Sequence, residues 1–198
     1  MLTRFFFVFL ACLLTTTLAY ASVTATIKTT VDEVIRIVGD DEMKKKANEQ
    51  RRRTAIKKAI ATIFDSQEMA KRSLGRHWNQ RTPAERKQFS DLFATLLENS
   101  YAGKIESYNN EKIIYTKESV DGDYAEVKSK VVTAKNDEYT LDYRLLKKEN
   151  GSWMVYDVVI EGVSLVSNYR TQFNKIISTS GYPELIKKLQ SKSNEIKM

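Results

Sequence analysis

The residues that decide the fold are Trp153 to Ser164, WMVYDVVIEGVS, which predict a buried strand followed at once by a helix. Apolar side chains fall on both faces of this strand: Trp153, Val155 and Val159 on one, and Met154, Tyr156, Val158 and Ile160 on the other. A strand with this pattern is covered on both sides. Glu161 and Gly162 then turn the chain into the helix that begins near Ser164.

The segment from Glu111 to Leu145 predicts the preceding strands, because its pattern has a period of two. The alternating positions are Ile114 and Thr116, then Ala125, Val127, Ser129, Val131 and Thr133, then Tyr139, Leu141, Tyr143 and Leu145. Asp121-Gly122 and Asn150-Gly151 mark tight turns, since both dipeptides readily adopt the positive φ angles that antiparallel hairpins need. The sequence therefore predicts a curved antiparallel sheet of about four strands.

A long helix is predicted upstream of the sheet. Thr82-Pro83-Ala84-Glu85 is a capping box with proline at the first helical position. Large apolar side chains then recur every three or four residues, at Phe89, Phe93, Leu96, Leu97, Tyr101, Ile105 and Tyr108. They give the helix one wide apolar face.

Shorter helices are predicted on both sides of these elements, over residues 23–38, 42–63, 66–74, 164–177 and 184–189. The helix over 42–63 is strongly basic, and His77 and Trp78 fall in the connection before the long helix. The order of helices, antiparallel sheet and helices predicts an α+β fold. In such a fold, N-terminal and C-terminal helices cover the sheet and can enclose a ligand.

The first 21 residues have the layout of a secretory signal peptide, with a charged Arg4, an apolar run over 5–14 and the small residues Ala19 and Ala21 on either side of Tyr20. The apolar run is shorter than the roughly 20 residues that span a bilayer. Cys12, the only cysteine, leaves a lipoprotein cleavage site open as an alternative. We expect export of the chain, with residues 22–198 forming a single domain without disulfides.

The net charge favours an acidic or anionic partner. The chain has 32 Lys and Arg against 25 Asp and Glu, a net charge of +7. Export makes an anionic lipid surface a better partner than nucleic acid, and no nucleic-acid-binding motif is present. The basic runs at 44–46 and 51–53 either form a solvated helix face or contact lipid headgroups or partner proteins.

Few residues suggest catalysis or metal binding. His77 is the only histidine, and a catalytic pair with Asp65 or Asp157 would lack any recognisable nucleophile motif. A metal site built on one histidine would need carboxylates at spacings that the sequence does not offer. We therefore expect no metal and no catalytic centre.

Asp157 is the most informative polar residue, because it lies within the doubly covered strand and must be ion-paired or hydrogen-bonded there. Arg144, Arg170 and backbone amides at the Gly162 turn are the candidate partners. Three interpretations remain open. Asp157 locks the sheet to the last helices, helps to hold a mobile mouth, or acts as acid or base in an isomerase or hydrolase.

Three segments together resemble the MlaC (toluene-tolerance) family. They are Leu74-Gly75 through Trp78 with Thr82 to Arg86 and Phe89; Phe93 through Leu97 to Tyr101; and Tyr156-Asp157 with Glu161-Gly162-Val163-Ser164. The third is the most specific, since the family has a tryptophan at the start of its final strand, a Tyr-Asp pair in the middle and a Glu-Gly-Val-Ser turn after it. Ser66 departs from the family, which often has an aromatic residue after Phe-Asp.

The resemblance implies a periplasmic, non-enzymatic phospholipid carrier that needs no cofactor. Its partners would be an inner-membrane ABC transporter complex with a ring of lipid-handling domains, and an outer-membrane lipoprotein associated with a porin. By exchanging lipid between them, it would maintain the lipid asymmetry of the outer membrane. We expect a monomer.

The resemblance also implies a pocket for acyl chains between the long helix and the sheet. The candidate lipid-binding residues are Phe93, Leu97, Tyr101, Ile105, Tyr143, Val155, Val163, Leu165, Val166 and Tyr169. Periodicity alone leaves a filled core as the alternative, which would suit a structural adaptor of the cell envelope.

Overall fold

The computed structural model describes residues 22–195, so the predicted signal peptide lies outside the described residues. The helices are α1 (Val23–Gly39), α2 (Asp41–Lys44), α3 (Glu49–Ala61), α4 (Ser66–Leu74), α5 (Pro83–Glu106), α6 (Leu165–Ser180) and α7 (Tyr182–Glu195). Two 3-10 helices, Lys46–Asn48 and Gly75–Gln80, connect α2 to α3 and α4 to α5. None of the described helices is long and apolar enough to cross a membrane.

The strands are β1 (Lys112–Asp121), β2 (Tyr124–Val132), β3 (Glu138–Lys147), β4 (Trp153–Ile160) and β5 (Val163–Ser164). Within residues 22–195 they form one antiparallel sheet in chain order, β1-β2-β3-β4-β5. A register shift between Tyr115 and Lys117 interrupts the pairing of β1 with β2. The α+β fold and its antiparallel sheet are confirmed, with a fifth, two-residue strand in addition to the four predicted.

Local chemistry explains where the helices begin. In α5 the predicted capping box is complete: the Glu85 amide donates to Thr82 Oγ1 over 3.2 Å, and the Thr82 amide donates to Glu85 Oε2 over 2.8 Å. Asp65 accepts from the Glu68 amide at the start of α4. These contacts satisfy backbone amides that have no partner within the first turn of a helix.

Buried side chains of residues 22–195 form two large clusters and a smaller third cluster of Ile37, Val38 and Ile56. Buried side chains of α4, α5, α6 and α7 form the helical core, which is centred on Phe89, Phe93 and Phe173. The sheet core lies between α1 and the inner face of β2, β3 and β4, and it contains Ala125, Val127, Tyr143, Leu145, Val155 and Val158. Phe64 packs against both parts and therefore joins them.

The predicted helix over 42–63 is wrong, because the structure divides it into α2, a 3-10 turn and α3. Lys45 has an extended backbone (ψ 137°) and ends α2. Two side chains that follow the break bind carbonyls of α2: Asn48 Nδ2 donates to the Glu42 carbonyl over 2.8 Å, and Arg52 Nη1 donates to the Met43 carbonyl over 2.9 Å. These hydrogen bonds replace those that a continuous helix would make.

Candidate functional site

The second half of α5 differs from the first in how well its apolar face is covered. The first half is buried through Phe89, Phe93 and Leu96. Leu97, Tyr101 and Ile105 continue the same face at four-residue spacing but are only half-buried. The structure therefore leaves an apolar helix stripe incompletely packed beside the two cores.

Ion pairs to α3 hold this half of α5 in place. Glu98 pairs with Lys57 Nζ over 2.7 Å. Glu106 lies between two guanidinium groups, 3.4 Å from Arg52 Nη2 and 3.3 Å from Arg53 Nε. Arg52 and Arg53 of the predicted basic run therefore help to hold the C-terminal end of α5 against α3.

The start of α6 faces the stripe. The Tyr169 ring lies edge-on to the Phe93 ring, with 5.2 Å between centroids, and it stacks on Phe173 at 5.5 Å. Burial, and secondly the neighbouring Tyr169, raises the pKa of Tyr101 above its ordinary value. Half-buried aromatic rings of α5 and α6 therefore adjoin one another at the margin of the helical core.

Phenol groups line the inner face of the sheet. Tyr115 has a buried hydroxyl oxygen without a hydrogen-bond partner among the described residues, and burial followed by nearby Asp32 raises its pKa to about 12. Burial, followed by Tyr115, Tyr139 and Asp142, raises the pKa of Tyr143. A buried hydroxyl without a partner costs about 1–3 kcal/mol, so a ligand oxygen at this place would be stabilising.

Asp157 joins the sheet to α6. Its Oδ2 accepts from Ser164 Oγ over 2.6 Å and lies 3.3 Å from Arg144 Nη1, while its Oδ1 accepts from the Val166 amide over 3.0 Å. Ser164 in turn caps α6 by accepting from the Ser167 amide. The predicted partner Arg144 is confirmed.

The other partners predicted for Asp157 are wrong. Arg170 donates through Nε to the Arg72 carbonyl, over 2.7 Å, and the backbone amide that binds Asp157 is that of Val166 rather than one at the Gly162 turn. Asp157 is buried, and the hydrogen bonds to both of its oxygens match the interpretation of a structural lock.

His77 and Asp65 lie in separate interactions. His77 Nε2 is 3.0 Å from Asn174 Oδ1, and Asp65 Oδ2 accepts from Lys148 Nζ over 2.7 Å. Residues 22–195 contain no group of three His, Cys, Asp or Glu side chains that could hold a metal ion.

A family model described as MlaC protein matches residues 28–191. The chain belongs to the MlaC family. The intermembrane phospholipid transport system binding protein MlaC of Haemophilus influenzae is 25% identical over 194 residues, which are 96% of this chain and 91% of that protein. The toluene tolerance protein ttg2D of Pseudomonas putida is 24% identical over 129 residues, or 64% of this chain and 60% of that protein.

A solved structure has the same fold as this MlaC-family chain. It is a phospholipid-binding protein from Ralstonia solanacearum in complex with a phospholipid. It is 31% identical, with a TM-score of 0.80, over 90% of this chain and 100% of that one. The family resemblance carried by Leu74 to Tyr101 and Trp153 to Ser164 is thus confirmed.

The ten residues predicted to bind lipid are divided among several places in this MlaC-family fold. Phe93 and Val166 are buried in the helical core, with Leu97 and Tyr169 at its margin. Tyr143 and Val155 are buried in the sheet core, with Leu165 at its margin; Ile105 packs against a third cluster of Ile37, Val38 and Ile56. Tyr101 is half-buried, and Val163 is 56% exposed. Their contact with lipid stays a prediction.

Sequence reasoning missed Tyr115 in this MlaC-family chain. The alternation predicted in the first strand used Ile114 and Thr116, yet Ile114 is 48% exposed and Thr116 is also exposed. Tyr115 is the apolar residue of this stretch that packs against the sheet core. The signal that could have found it is the alternation of Ile113 with Tyr115, which are both half-buried and pair in regular register with β2. It is weak, because Ile114 is as apolar as its neighbours.

Proposed function

We propose that this MlaC-family chain is a periplasmic phospholipid carrier that encloses acyl chains and has no catalytic role. It exchanges lipid between an inner-membrane ABC transporter complex with a lipid-handling ring protein and an outer-membrane lipoprotein with its porin, and it thereby maintains outer-membrane lipid asymmetry. The observation that carries the proposal is the likeness along nearly the whole chain to a solved protein in complex with a phospholipid.

The energetics explain why a carrier must enclose the lipid. Two acyl tails of about sixteen carbons contain roughly 30 methylene groups, and each costs about 0.8 kcal/mol to expose to water, or around 25 kcal/mol in total. A surface groove that covered only part of the tails would leave most of this cost in place. The tails therefore need apolar side chains beyond those that seal the core.

The described residues offer such side chains on two surfaces. Leu97, Tyr101 and Ile105 lie half-buried on α5, with Tyr169 beside them on α6. On the sheet side, the unpartnered hydroxyl of Tyr115 would donate to an ester or headgroup oxygen. We place the acyl chains between these two surfaces, with Val163 and Leu165 at the mouth.

Two of the predicted contacts favour the adaptor alternative instead. Phe93 and Val155 have an exposed fraction of 0%, as expected of side chains that fill a core. In the carrier proposal, Phe93 and Val155 form the wall of the pocket behind the half-buried side chains of Leu97, Tyr101 and Ile105.

Native mass spectrometry of protein isolated from the periplasm tests the proposal, followed by extraction and identification of the bound lipid. We expect about one phospholipid per chain, and loss of most of it in Tyr101→Lys. Ile114→Lys is the matched control, because it places the same charge on the outer face of the sheet. Protein that stays lipid-free even after incubation with phospholipid vesicles would favour the adaptor alternative and contradict the carrier.

The same samples test for catalysis. Incubation with phospholipid vesicles should release no lysolipid or free fatty acid. The amounts measured should be the same for the unsubstituted protein and for Asp157→Asn. Turnover that disappears in Asp157→Asn would overturn the non-enzymatic proposal.

A further inference from the structure

Two adjoining clefts lie on the side of the molecule formed by α4, α6 and the outer face of the sheet. The larger has a volume of about 460 Å³, and its charged side chains are Glu68, Lys71, Arg72, Arg76 and Arg170. We call it the basic cleft. The smaller, of about 220 Å³, is lined by Ser119, Val120, Tyr124, Ala125 and Tyr156 together with the charged residues Asp121, Glu126 and Arg144, and we call it the tyrosine cleft.

Arg72 connects the two clefts. Its guanidinium carbon is 3.9 Å from the centroid of the Tyr156 ring and 5.8 Å from that of Tyr124. The two rings meet edge to face at 6.2 Å. Stacking on aromatic rings orders the guanidinium group, so the basic and aromatic surfaces form one preorganised face.

The positive charge of the basic cleft is only partly neutralised. Glu68 pairs with Arg72 Nε over 2.8 Å and with Lys71 Nζ over 3.5 Å. Arg76 instead donates to the amide oxygen of Asn174, and Arg170 donates to the Arg72 carbonyl; both acceptors are neutral. No carboxylate of the described residues pairs with Arg76 or Arg170. The basic cleft therefore has four cationic side chains and a single carboxylate, that of Glu68.

The tyrosine cleft adds exposed apolar surface. Val120 is 54% exposed and Tyr124 49% exposed, although both are large apolar side chains. Tyrosine and arginine are the residue types that most often supply binding energy at protein interfaces, where their partners insert into clefts.

We propose that the basic cleft and the tyrosine cleft together dock an acidic segment of a partner protein. Carboxylates of that segment bind Lys71, Arg76 and Arg170, and an apolar side chain next to them packs on Val120 and Tyr124. Exposed Val120 and Tyr124 beside an ordered arginine match the composition of protein interfaces, which favours a protein segment over a membrane. The proposal goes beyond the carrier function and does not depend on the lipid pocket.

Photocrosslinking in living cells tests the proposal, with benzoylphenylalanine at Ser119 of the full chain, which lines the tyrosine cleft. We expect mass spectrometry of the adduct to identify a segment in which Asp and Glu outnumber Lys and Arg. Lys71→Glu with Arg76→Glu should lower the adduct yield at least about tenfold, because charge complementarity controls association. The control, Lys175→Glu with Lys187→Glu, makes the same charge change on exposed residues of α6 and α7 and should lower it less than about twofold.

Charge exchange makes the test specific. Lysine substitutions of the crosslinked acidic residues should restore the yield of the Lys71→Glu and Arg76→Glu variant. An adduct with a segment that is not acidic, or a yield that changes equally in the cleft and control variants, would overturn the proposal. Should the charge variant fail to fold, Val120→Ser tests the apolar contact and should lower the yield severalfold.

Sedimentation with phosphatidylglycerol vesicles distinguishes a partner protein from an anionic membrane as the occupant of the two clefts. We expect the cleft variant (Lys71→Glu with Arg76→Glu) and the control variant (Lys175→Glu with Lys187→Glu) to lose the same fraction of vesicle binding. A selective loss in the cleft variant would assign this face to an anionic membrane and contradict docking of a protein segment. Bound phospholipid per chain should be the same in all variants, which distinguishes a docking defect from failure of the carrier function.

Discussion

Asp157 accepts hydrogen bonds from Ser164 Oγ and the Val166 amide while it lies against Arg144. Asparagine at this position retains one acceptor oxygen for two donors and removes the charge. We expect Asp157→Asn to lower the free energy of unfolding by roughly 1–3 kcal/mol, measured by urea denaturation. Asp137→Asn, on an exposed turn, is the control and should have no measurable effect. Equal stability of the two variants would show that Asp157 does not lock α6 to β4.

Glu118 ties the beginning of α1 to β1. It accepts from the Val23 amide over 3.3 Å and the Thr24 amide over 2.8 Å. Burial opposes ionisation of this carboxyl, but the hydrogen bonds from Thr24 and Val23 outweigh it and lower the pKa of Glu118 below its ordinary 4.5. A lowered pKa in the folded state stabilises the fold above that ordinary value, and the contribution is lost as the pH falls through the folded-state pKa.

We therefore expect Glu118→Gln to lower the free energy of unfolding at pH 7 by about 1 kcal/mol, the size of a helix-cap contribution, and to have a smaller effect at pH 3, where more of the carboxyl is protonated. Urea denaturation at both pH values measures the difference. Glu149→Gln, an exposed residue in the turn before β4, should behave like the unsubstituted protein at both. An effect of Glu118→Gln that is equally large at pH 3 would rule out the ionised cap.

At the scale of residues, the sequence predicts that the buried carboxylate of Asp157 needs hydrogen-bond or ion-pair partners. It identifies only some of these partners correctly. Arg144 is found because it lies opposite Asp157 in the neighbouring strand. Arg170 was a reasonable candidate by charge, yet the helix turns it towards the Arg72 carbonyl. Which side of a helix meets a strand depends on packing over the whole chain, and this is absent from local sequence.

Gly75 caps the end of α4 and is the first residue of the 3-10 helix that follows. Its φ of +57° and ψ of −131° are strained for any residue with a side chain, and an added Cβ would lie 3.4 Å from Arg170 Cγ and Cδ. We expect Gly75→Ala to lower the free energy of unfolding by roughly 1–3 kcal/mol, read out as a lower Tm. Gly39→Ala is the control, since the end of α1 has free space around Gly39 and alanine favours the helix. If both variants had the same Tm, strain at Gly75 would be excluded.

At the scale of elements, the signals that were predicted correctly are local. The capping box at Thr82 and the glycines that allow the β1-β2 and β3-β4 turns act within a few residues of themselves. The break at Lys45 could not be predicted, because Asn48 and Arg52 reach back to carbonyls of α2 and no proline or glycine marks the place. The strand β5 contains two residues, too few to show any period.

At the scale of the whole molecule, lipid binding should be linked to stability. A ligand that binds only the folded state raises the free energy of unfolding by RT ln(1 + [L]/Kd), about 2.7 kcal/mol at a hundredfold excess over Kd. We expect removal of bound phospholipid by organic extraction and refolding to lower Tm by several degrees, and reloading from vesicles to restore it. In Tyr101→Lys both steps should have little effect on Tm. A Tm that does not change with lipid content would contradict enclosure of the acyl chains.

The fold of the whole molecule could be predicted more fully than its site. Strand Trp153 to Ile160 indicated two covered faces, and the structure places α4 and α6 on one and α1 with the sheet core on the other. Whether a space between packed elements stays open depends on fractions of an ångström across many side chains. The apolar pattern of α5 is the same in its buried and half-buried halves, so the pattern alone could not separate them.

On one side of the sheet, β5 and the bridge of Phe64 to Val155 both pair with β4. On the other side, β1 has no outer neighbouring strand among residues 22–195. Long unpaired strands are templates for aggregation. The register shift between Tyr115 and Lys117 breaks the regular ladder of β1. We therefore expect this irregularity, which directly follows the inward-facing Tyr115, to oppose edge-to-edge stacking of the protein at high concentration.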